Sequence, residues 1–299
     1  MINKHQQEFK ESIEAERGNL GKKPDWLRVR LPSGKNYKDV HKLMRDANLN
    51  TVCEEARCPN MGECWNARTA TFMILGEICT RTCGFCNVKT GKPPLLDKDE
   101  PRRVAEAVEK LNLRHAVITS VNRDELKDGG ASIFSETIRL INETSPDCTI
   151  EILIPDFLGN EAAFEKIMEN PPDILNHNLE TVPRIYHAVR PQAKYQRSLD
   201  LIKWFKNKGL RTKSGIMVGI GEKNSEVFEV MQDLKDYGCD IMTIGQYLQP
   251  TQNHLPLDRY VTLEEFEMFS KKGTEMGFLA VESSPLVRSS YHADKHARL

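Results

Sequence analysis

The sequence has no apolar run approaching the roughly 18 residues of a membrane-spanning helix. That excludes an integral helical membrane protein. Its opening, MINKHQQEFKESIEAERG, is polar throughout and lacks the apolar core of a secretory signal. It has almost no net charge: 42 Lys and Arg meet 43 Asp and Glu, a balance of -1, which excludes a broadly basic nucleic-acid binder. No glycine-rich dinucleotide fingerprint follows an early strand-like run. GIMVGIGE (215–222) fits a loose G-x-x-x-G-x-G count but lies mostly inside an apolar run. Internal repeats and low-complexity linkers are also missing. These absences leave a cytoplasmic chain, with neither nucleic acid nor membrane among its expected partners.

What the sequence does have is cysteine. Eight are present, and six fall between positions 53 and 86. A chain of 299 residues buries a core without disulfide staples, and the cytosol keeps thiols reduced. The clustered six therefore read as metal ligands. Cys148 and Cys239 lie apart and read as ordinary small buried residues.

From residue 71 the pattern is regular. Short apolar runs recur at 71–75, 115–121, 149–155, 173–178, 212–220, 240–248 and 277–283. Amphipathic stretches at 101–113, 130–143, 195–210, 223–238 and 262–277 separate most of them, two ending at Gly209 and Gly238. Alternation of this kind implies βαβ units and a parallel sheet. The number of units favours a partial parallel (β/α)6-type barrel over a doubly wound sheet, with the chemistry at the C-terminal strand ends. The expected division is an N-terminal extension (1–50), a cysteine-rich motif (51–68), the barrel (69–284) and a C-terminal segment (285–299) closing its mouth. Within the extension, the charged opening reads as a weakly ordered, partly helical arm. PDWLRVRL (24–31) reads as a short strand or extended arm, and 36–49 as a helix with Val40, Leu43 and Met44 on one face.

The segment ICTRTCGFCNVKTG (78–91) spaces Cys79, Cys83 and Cys86 as Cys-x3-Cys-x2-Cys just after the first strand of the series. Three thiolates on one short loop hold three irons of a four-iron cluster and leave the fourth open to a ligand. A zinc site completed by His115 or His177 is the alternative reading of the same spacing. TVCEEARCPNMGECW (51–65) spaces Cys53, Cys58 and Cys64 as Cys-x4-Cys-x5-Cys. Beside the other triplet it reads as a separate cluster with its own fourth ligand.

The Cys-x3-Cys-x2-Cys loop, with Phe85 before Cys86, resembles that of the radical S-adenosylmethionine superfamily. The resemblance implies a parallel full or partial barrel. It also implies an open iron that binds the amino and carboxylate groups of S-adenosylmethionine, whose reductive cleavage gives methionine and a 5′-deoxyadenosyl radical. It narrows to the lipoyl synthase family from about residue 24 onward. The blocks TVCEEARCPNMGECW, TATFMILGEICTRTCGFCNVKTG, HAVITSVNRDELKDGGA, DILNHNLETV, TKSGIMVGIGE, GQYLQPT and VRSSYHA look like those of that family, in its order.

That resemblance implies two [4Fe-4S] clusters. Cys79, Cys83 and Cys86 would hold the reducing one. Cys53, Cys58 and Cys64 would hold an auxiliary one, with Ser290 of the Arg288–Ser289–Ser290–Tyr291 block as fourth ligand. Oxygen is a harder donor than thiolate, which suits a cluster that opens to give up sulfur. The competing reading is that Ser289 and Ser290 bond the C-terminal backbone. The implied activity is insertion of two sulfur atoms, at carbons 6 and 8, into an octanoyl chain on a carrier lysine. Implied partners are octanoylated 2-oxoacid dehydrogenase E2 subunits and glycine cleavage H protein, a ferredoxin or flavodoxin donor, and an iron–sulfur carrier that rebuilds the auxiliary cluster.

Candidate contacts to S-adenosylmethionine are Asn122 and Arg123 at the end of the second strand, and Asn178 and Glu180 at the end of the fourth. Lys213, Gly215 and Met217 on the next strand complete the set, its glycines allowing close backbone approach. Each also has a structural reading: Glu180, for example, can pair with Arg190 or Lys213.

Overall fold

Four- to eight-residue runs rich in Ile, Val and Thr are too short for stable helices and suit strands buried on both faces. A computed structural model describes residues 3–28, 34–56, 58–66, 71–291 and 293–297. In chain order the strands are β1 (Asn50–Thr51), β2 (Thr71–Ile74), β3 (Ile78–Cys79), β4 (Lys89–Thr90), β5 (His115–Ser120), β6 (Thr149–Leu153), β7 (Ile174–Asn176), β8 (Arg211–Val218), β9 (Ile241–Gln246) and β10 (Ala280–Ser283). The chain divides into two compact units.

The first unit comprises Val29–Arg81, Val88–Asn176 and Ser290–Leu299. Here β1 pairs antiparallel with β2, and β2, β5, β6 and β7 follow in parallel, with Thr71 opposite Val117 and Glu151 opposite Ile174. The crossovers are the helices Glu100–Leu111, Ala131–Thr144 and Glu161–Met168. Pro101 sits in the first turn of Glu100–Leu111, Val104, Val108 and Leu111 are buried, and Asn112 ends the helix in the left-handed region. Buried Glu100 turns back to accept the Leu75 N–H at 2.6 Å, which fixes the bend between β2 and the second cysteine triplet.

The second unit comprises Met1–Arg28, Thr82–Asn87 and His177–Ser289. Here β8, β9 and β10 are parallel, with Gly215 opposite Thr243 and Glu282 opposite Thr243. The helices Asn224–Asp236 and Leu263–Glu275 are the crossovers. Gly209 and Gly238 stand just past helix ends with φ of +89° and +83°. The α/β class with parallel strands, expected from the alternation, is the one observed within each unit.

The loose glycine pattern at 215–222 is filled from within. The Glu222 side-chain oxygens accept the N–H groups of Gly219 (2.7 Å) and Ile220 (2.9 Å), so these amides are already occupied.

The N-terminal residues bear out the partly helical reading of the arm, but the helix is anchored rather than weakly ordered. Lys4–Glu16 is a helix opened by a reciprocal Asn3–Gln6 capping box. Gln6 and Ile13 are buried, Lys10 Nζ donates to Gln252 O at 2.7 Å, and Arg17 Nη1 donates to Leu257 O at 3.0 Å. Strand-like PDWLRVRL instead makes a 3-10 turn over Asp25–Leu27, with Trp26 edge-on to Tyr260. The turn follows from Pro24, whose carbonyl accepts the Leu27 N–H at 3.1 Å. Residues 29–31 of that segment lie outside the described residues, as do 67–70 at the expected 68/69 boundary, and Arg57, His292 and 298–299 of the cysteine and C-terminal segments. Lys35–Asp46 is the expected helix, with Val40 and Met44 buried. No helix among the described residues is long and apolar enough to cross a membrane.

Ile13 is the apolar anchor of the first helix: a Cβ added at Gly221 would come within 2.7 Å of its Cδ1. Ile13→Ala is expected to cost about 2 kcal/mol locally and to speed amide exchange over Lys4–Glu16 roughly 30-fold. Hydrogen-exchange mass spectrometry should find β5 unaffected. Unchanged exchange over the helix would show that other contacts hold it.

Candidate functional site

In the first unit, the Cys53–Cys64 segment is two short helices, Val52–Glu55 and Met61–Asn66, joined by a bend at Pro59. Thr51 caps the first through the Glu54 N–H at 3.3 Å. Backbone bonds from Cys58 N to Cys53 O and from Cys64 N to Asn60 O, both 2.9 Å, close the turns between the thiols. The helix Lys35–Asp46 braces this segment: Tyr37 stacks on buried Trp65 at 5.2 Å, and Arg45 pairs with Glu54 at 3.1 Å.

The three sulfurs feel one another. Burial, then the Cys58 sulfur, pushes the Cys53 thiol up to about 11, while the Thr71 backbone N–H and the Trp65 indole pull it down. That indole N–H has no nitrogen or oxygen acceptor. Burial, then Cys53 and Cys58, pushes Cys64 up to about 12. Among the described residues no three His, Cys, Asp or Glu side chains gather round one point as ligands of a single ion.

Ser290 belongs to this same unit. Its neighbour Tyr291 donates to the carboxylate of Glu63, the neighbour of Cys64, at 3.3 and 3.4 Å.

Cys79 ends β3 and is buried. Three N–H groups of the unit approach its sulfur: Arg81 N at 3.4 Å, Asn122 N at 3.3 Å and Asn122 Nδ2 at 3.7 Å. The Asn122 side-chain oxygen is buried without a partner, so Asn122 has an acceptor to spare beside this sulfur. Arg123, expected as a cofactor contact, is committed elsewhere. Its guanidinium bonds Leu75 O at 3.0 Å, Pro94 O at 2.9 Å and the Glu125 carboxylate at 2.6 Å. His115, an alternative zinc ligand, has its Nδ1 on Thr149 Oγ1 at 2.8 Å.

The loop Thr82–Asn87, with Cys83 and Cys86, belongs to the second unit and is held mainly by its backbone. Gly84 N donates to Val189 O and Leu255 N to Gly84 O, each at 2.9 Å. Gln6 Nε2 donates to Thr82 O at 2.9 Å, Gln192 bonds both the amide and hydroxyl of Thr82, and His254 Nε2 meets Cys86 O at 3.0 Å. A Cβ at Gly84 would fall 2.7 Å from Cγ and Cδ1 of Leu255, itself fully buried, so only glycine fits there. His177, the other alternative zinc ligand, meets Ser198 Oγ through Nε2 at 2.9 Å.

The remaining candidates line β8. Glu180 runs beside Ile216 with φ of +70°; its N–H donates to Gly215 O and its O accepts the Met217 N–H, both at 2.9 Å. Burial pushes the Glu180 carboxyl up, against the pull of Arg190 and Asn178. Asn178 Nδ2 donates to Glu180 Oε1 at 3.1 Å and to Ser289 Oγ at 2.6 Å, and its own oxygen is buried without a partner. A Cβ at Gly215 would lie 2.3 Å from Thr243 Oγ1 and 3.1 Å from that oxygen. Lys213, Gly215 and Met217 alternate on one side of β8, with Lys213 fully buried and Met217 partly open. Buried acceptors, a carboxyl raised by burial and a bare strand suit a ligand with amino and hydroxyl donors.

Sequence reading passed over Gln6, Gln192 and His254, whose contacts to the cysteine loop are to its backbone or to a threonine. It also passed over Arg81, which is 2% exposed and bonds Asp124 and Asp156. The one available clue was an arginine among small residues inside the cysteine loop.

Comparison with known proteins agrees with this geometry. The Radical SAM superfamily model matches residues 73–234, and the model of the N-terminal domain of lipoyl synthase matches residues 2–58. The lipoyl synthase of Rubrobacter xylanophilus is 60% identical over 280 residues, 93% of this chain and 87% of the relative. The mitochondrial lipoyl synthase of Nematostella vectensis is 54% identical over 275 residues, 92% and 94% of the two chains. Among solved structures, Streptococcus suis SuiB bound to S-adenosylmethionine shares the fold at 12% identity and a TM-score of 0.57, covering 83% of this chain. The alignment spans only 61% of SuiB. The hydrogenase maturase HydG of Carboxydothermus hydrogenoformans has a TM-score of 0.57 at 14% identity, covering 98% and 74%. The two family models, with identity above half across nine-tenths of the chain, show that it belongs to the lipoyl synthase family of the radical SAM superfamily.

Proposed function

We propose that this chain inserts two sulfur atoms, at carbons 6 and 8, into an octanoyl group carried on a lysine of a lipoyl-carrier domain. The observation that carries the proposal is the pair of differently built cysteine triplets in a chain of this family. Cys79, Cys83 and Cys86 hold the reducing [4Fe-4S] cluster, and Cys53, Cys58, Cys64 and Ser290 hold the auxiliary one. When bound, the reducing cluster with S-adenosylmethionine supplies a hydrogen-abstracting radical, and the auxiliary cluster supplies sulfur as a co-substrate.

The residues divide the remaining work. The N–H groups of Arg81 and Asn122 support negative charge on Cys79. Asn122, Glu180, Lys213, Gly215 and Met217 bind S-adenosylmethionine: Glu180 receives donors of the amino acid or ribose portion, and Gly215 admits a flat ring against the strand. Ser290 is favoured over Ser289 as the oxygen ligand because the Ser289 hydroxyl is already hydrogen-bonded to Asn178 at 2.6 Å. Buried surroundings exclude water that would divert reactive species. The carriers served are the 2-oxoacid dehydrogenase E2 and glycine cleavage H types, in the cytoplasm. A ferredoxin or flavodoxin supplies electrons, and an iron–sulfur carrier restores the consumed cluster.

The test is anaerobic reconstitution with iron and sulfide, then incubation with an octanoyl-lysine peptide, S-adenosylmethionine and a reductant. Mass spectrometry should find a peptide with two sulfurs in place of two hydrogens, the dithiolane. Formation of 5′-deoxyadenosine with no sulfur gain would overturn the substrate assignment.

Two sets of variants check the ligands. Ser290→Ala should keep S-adenosylmethionine cleavage within about twofold and lower lipoyl product at least about tenfold, whereas Cys83→Ala should abolish 5′-deoxyadenosine. Unchanged lipoyl product from Ser290→Ala would remove the serine from the ligand set. Gly84→Ala should lower bound iron by up to about four atoms per chain, because its Cβ forces the loop off Leu255. Full iron loading in Gly84→Ala would show that the loop can move aside.

A further inference from the structure

We infer that Arg81 is a positioning residue: with Asp124 and Asp156 it fixes the backbone that aims N–H groups at the Cys79 sulfur, and so raises the reduction potential of the cluster bound there. The inference rests on the reading of Cys79 as a cluster ligand. All the groups involved lie in the first unit.

Arg81 is 2% exposed. Its Nε and Nη2 form a two-point fork on Asp124, at 2.7 and 2.8 Å, and Nη2 also reaches Asp156 Oδ1 at 2.5 Å. A charge taken this far out of water is tolerable only when its partners are held in place. Asp156 is itself buried, and its carboxylate also accepts the N–H of Leu158 at 3.2 Å. That contact closes a turn in which Phe157 and Leu158 both adopt left-handed φ, +44° and +56°. Such backbone is costly for non-glycine residues and persists where surrounding bonds over-determine it.

The constraint continues toward the sulfur. Asp124 N donates to Thr80 Oγ1 at 3.2 Å, and the Thr80 amide and hydroxyl both donate to Asn122 O, at 3.0 and 3.1 Å. Asn122 then presents its backbone and side-chain N–H groups to Cys79 Sγ. The guanidinium thus sets the position of 122–124, and that position sets the N–H···S contacts. N–H groups aimed at a ligating sulfur stabilise the more negative, reduced state and raise its potential. A lysine keeps the charge but cannot make the fork, so Arg81→Lys changes the geometry without changing the local charge sum. Thr80→Val removes only the hydroxyl link.

The experiment is an anaerobic redox titration of the reconstituted full-length chain, followed by electron paramagnetic resonance. Cys79→Ala identifies which signal belongs to this cluster. If that variant loses neither signal, the reading of Cys79 as a ligand fails, whatever becomes of Arg81. In Arg81→Lys and Thr80→Val, this cluster's midpoint should move to more negative potential and its g-values should change. The other cluster's midpoint should stay at its wild-type value in both variants. Formation of 5′-deoxyadenosine should fall roughly tenfold in Arg81→Lys. If Arg81→Lys loses iron, Thr80→Val alone decides. Wild-type potential and g-values in variants with full iron would overturn the inference, even if activity dropped.

Discussion

A cysteine sulfur that is to carry charge away from water must find its compensation in the chain around it. The rest of this structure is arranged to meet that demand, and the two triplets meet it differently. Cys79 sits against three N–H groups, two of them from Asn122. Cys53 and Cys64 are dominated by burial and by one another, with the Thr71 amide and the Trp65 indole as counterweights at Cys53. Iron taken up at thiols raised this far must displace protons, so ligand binding and proton release belong to one equilibrium. The flanking elements read as supports for these sulfurs. Tyr37 and Arg45 hold the Cys53–Cys64 segment, Glu100 fixes the bend before Cys79, and Val189, Leu255 and His254 grip the loop of Cys83 and Cys86.

The fold was legible in the sequence where apolar residues carried the period. Ile133, Phe134, Ile138 and Ile141 announce the helix Ala131–Thr144, and Ile241, Met242 and Ile244 mark the all-buried strand β9. It was not legible where a polar residue does the burying. The helix Lys4–Glu16 buries only Gln6 and Ile13, and Gln6 is satisfied by the Thr82 carbonyl, 76 residues away. No local period reports such a bond. The helix Glu161–Met168 was missed for a related reason: eight residues, two of them alanines, give a weak stripe.

The candidate site divides in the same way. The clustering of six cysteines could be read because they fall within 34 residues of chain, between positions 53 and 86. Asn122 and Glu180 were singled out because strand ends are where such folds gather chemistry. Arg123 carried both a contact and a structural reading, and its bonds to Leu75, Pro94 and Glu125 are of the structural kind, which only folding reveals. Arg81 was missed because its partners lie 43 and 75 residues onward, and only folding joins them.

The depth of that arginine has a consequence for how the protein meets changes in its medium. Exposed pairs such as Arg139–Glu136, with both side chains at least 40% open, lie within reach of dissolved ions and weaken as salt rises. The Arg81–Asp156 pair, 2% and 0% exposed, gives counterions no approach. Ionic strength can therefore loosen the outer surface while leaving the setting of the Cys79 sulfur undisturbed. A cell whose salt content drifts would find the periphery of this molecule responsive and the buried arginine beside Cys79 indifferent.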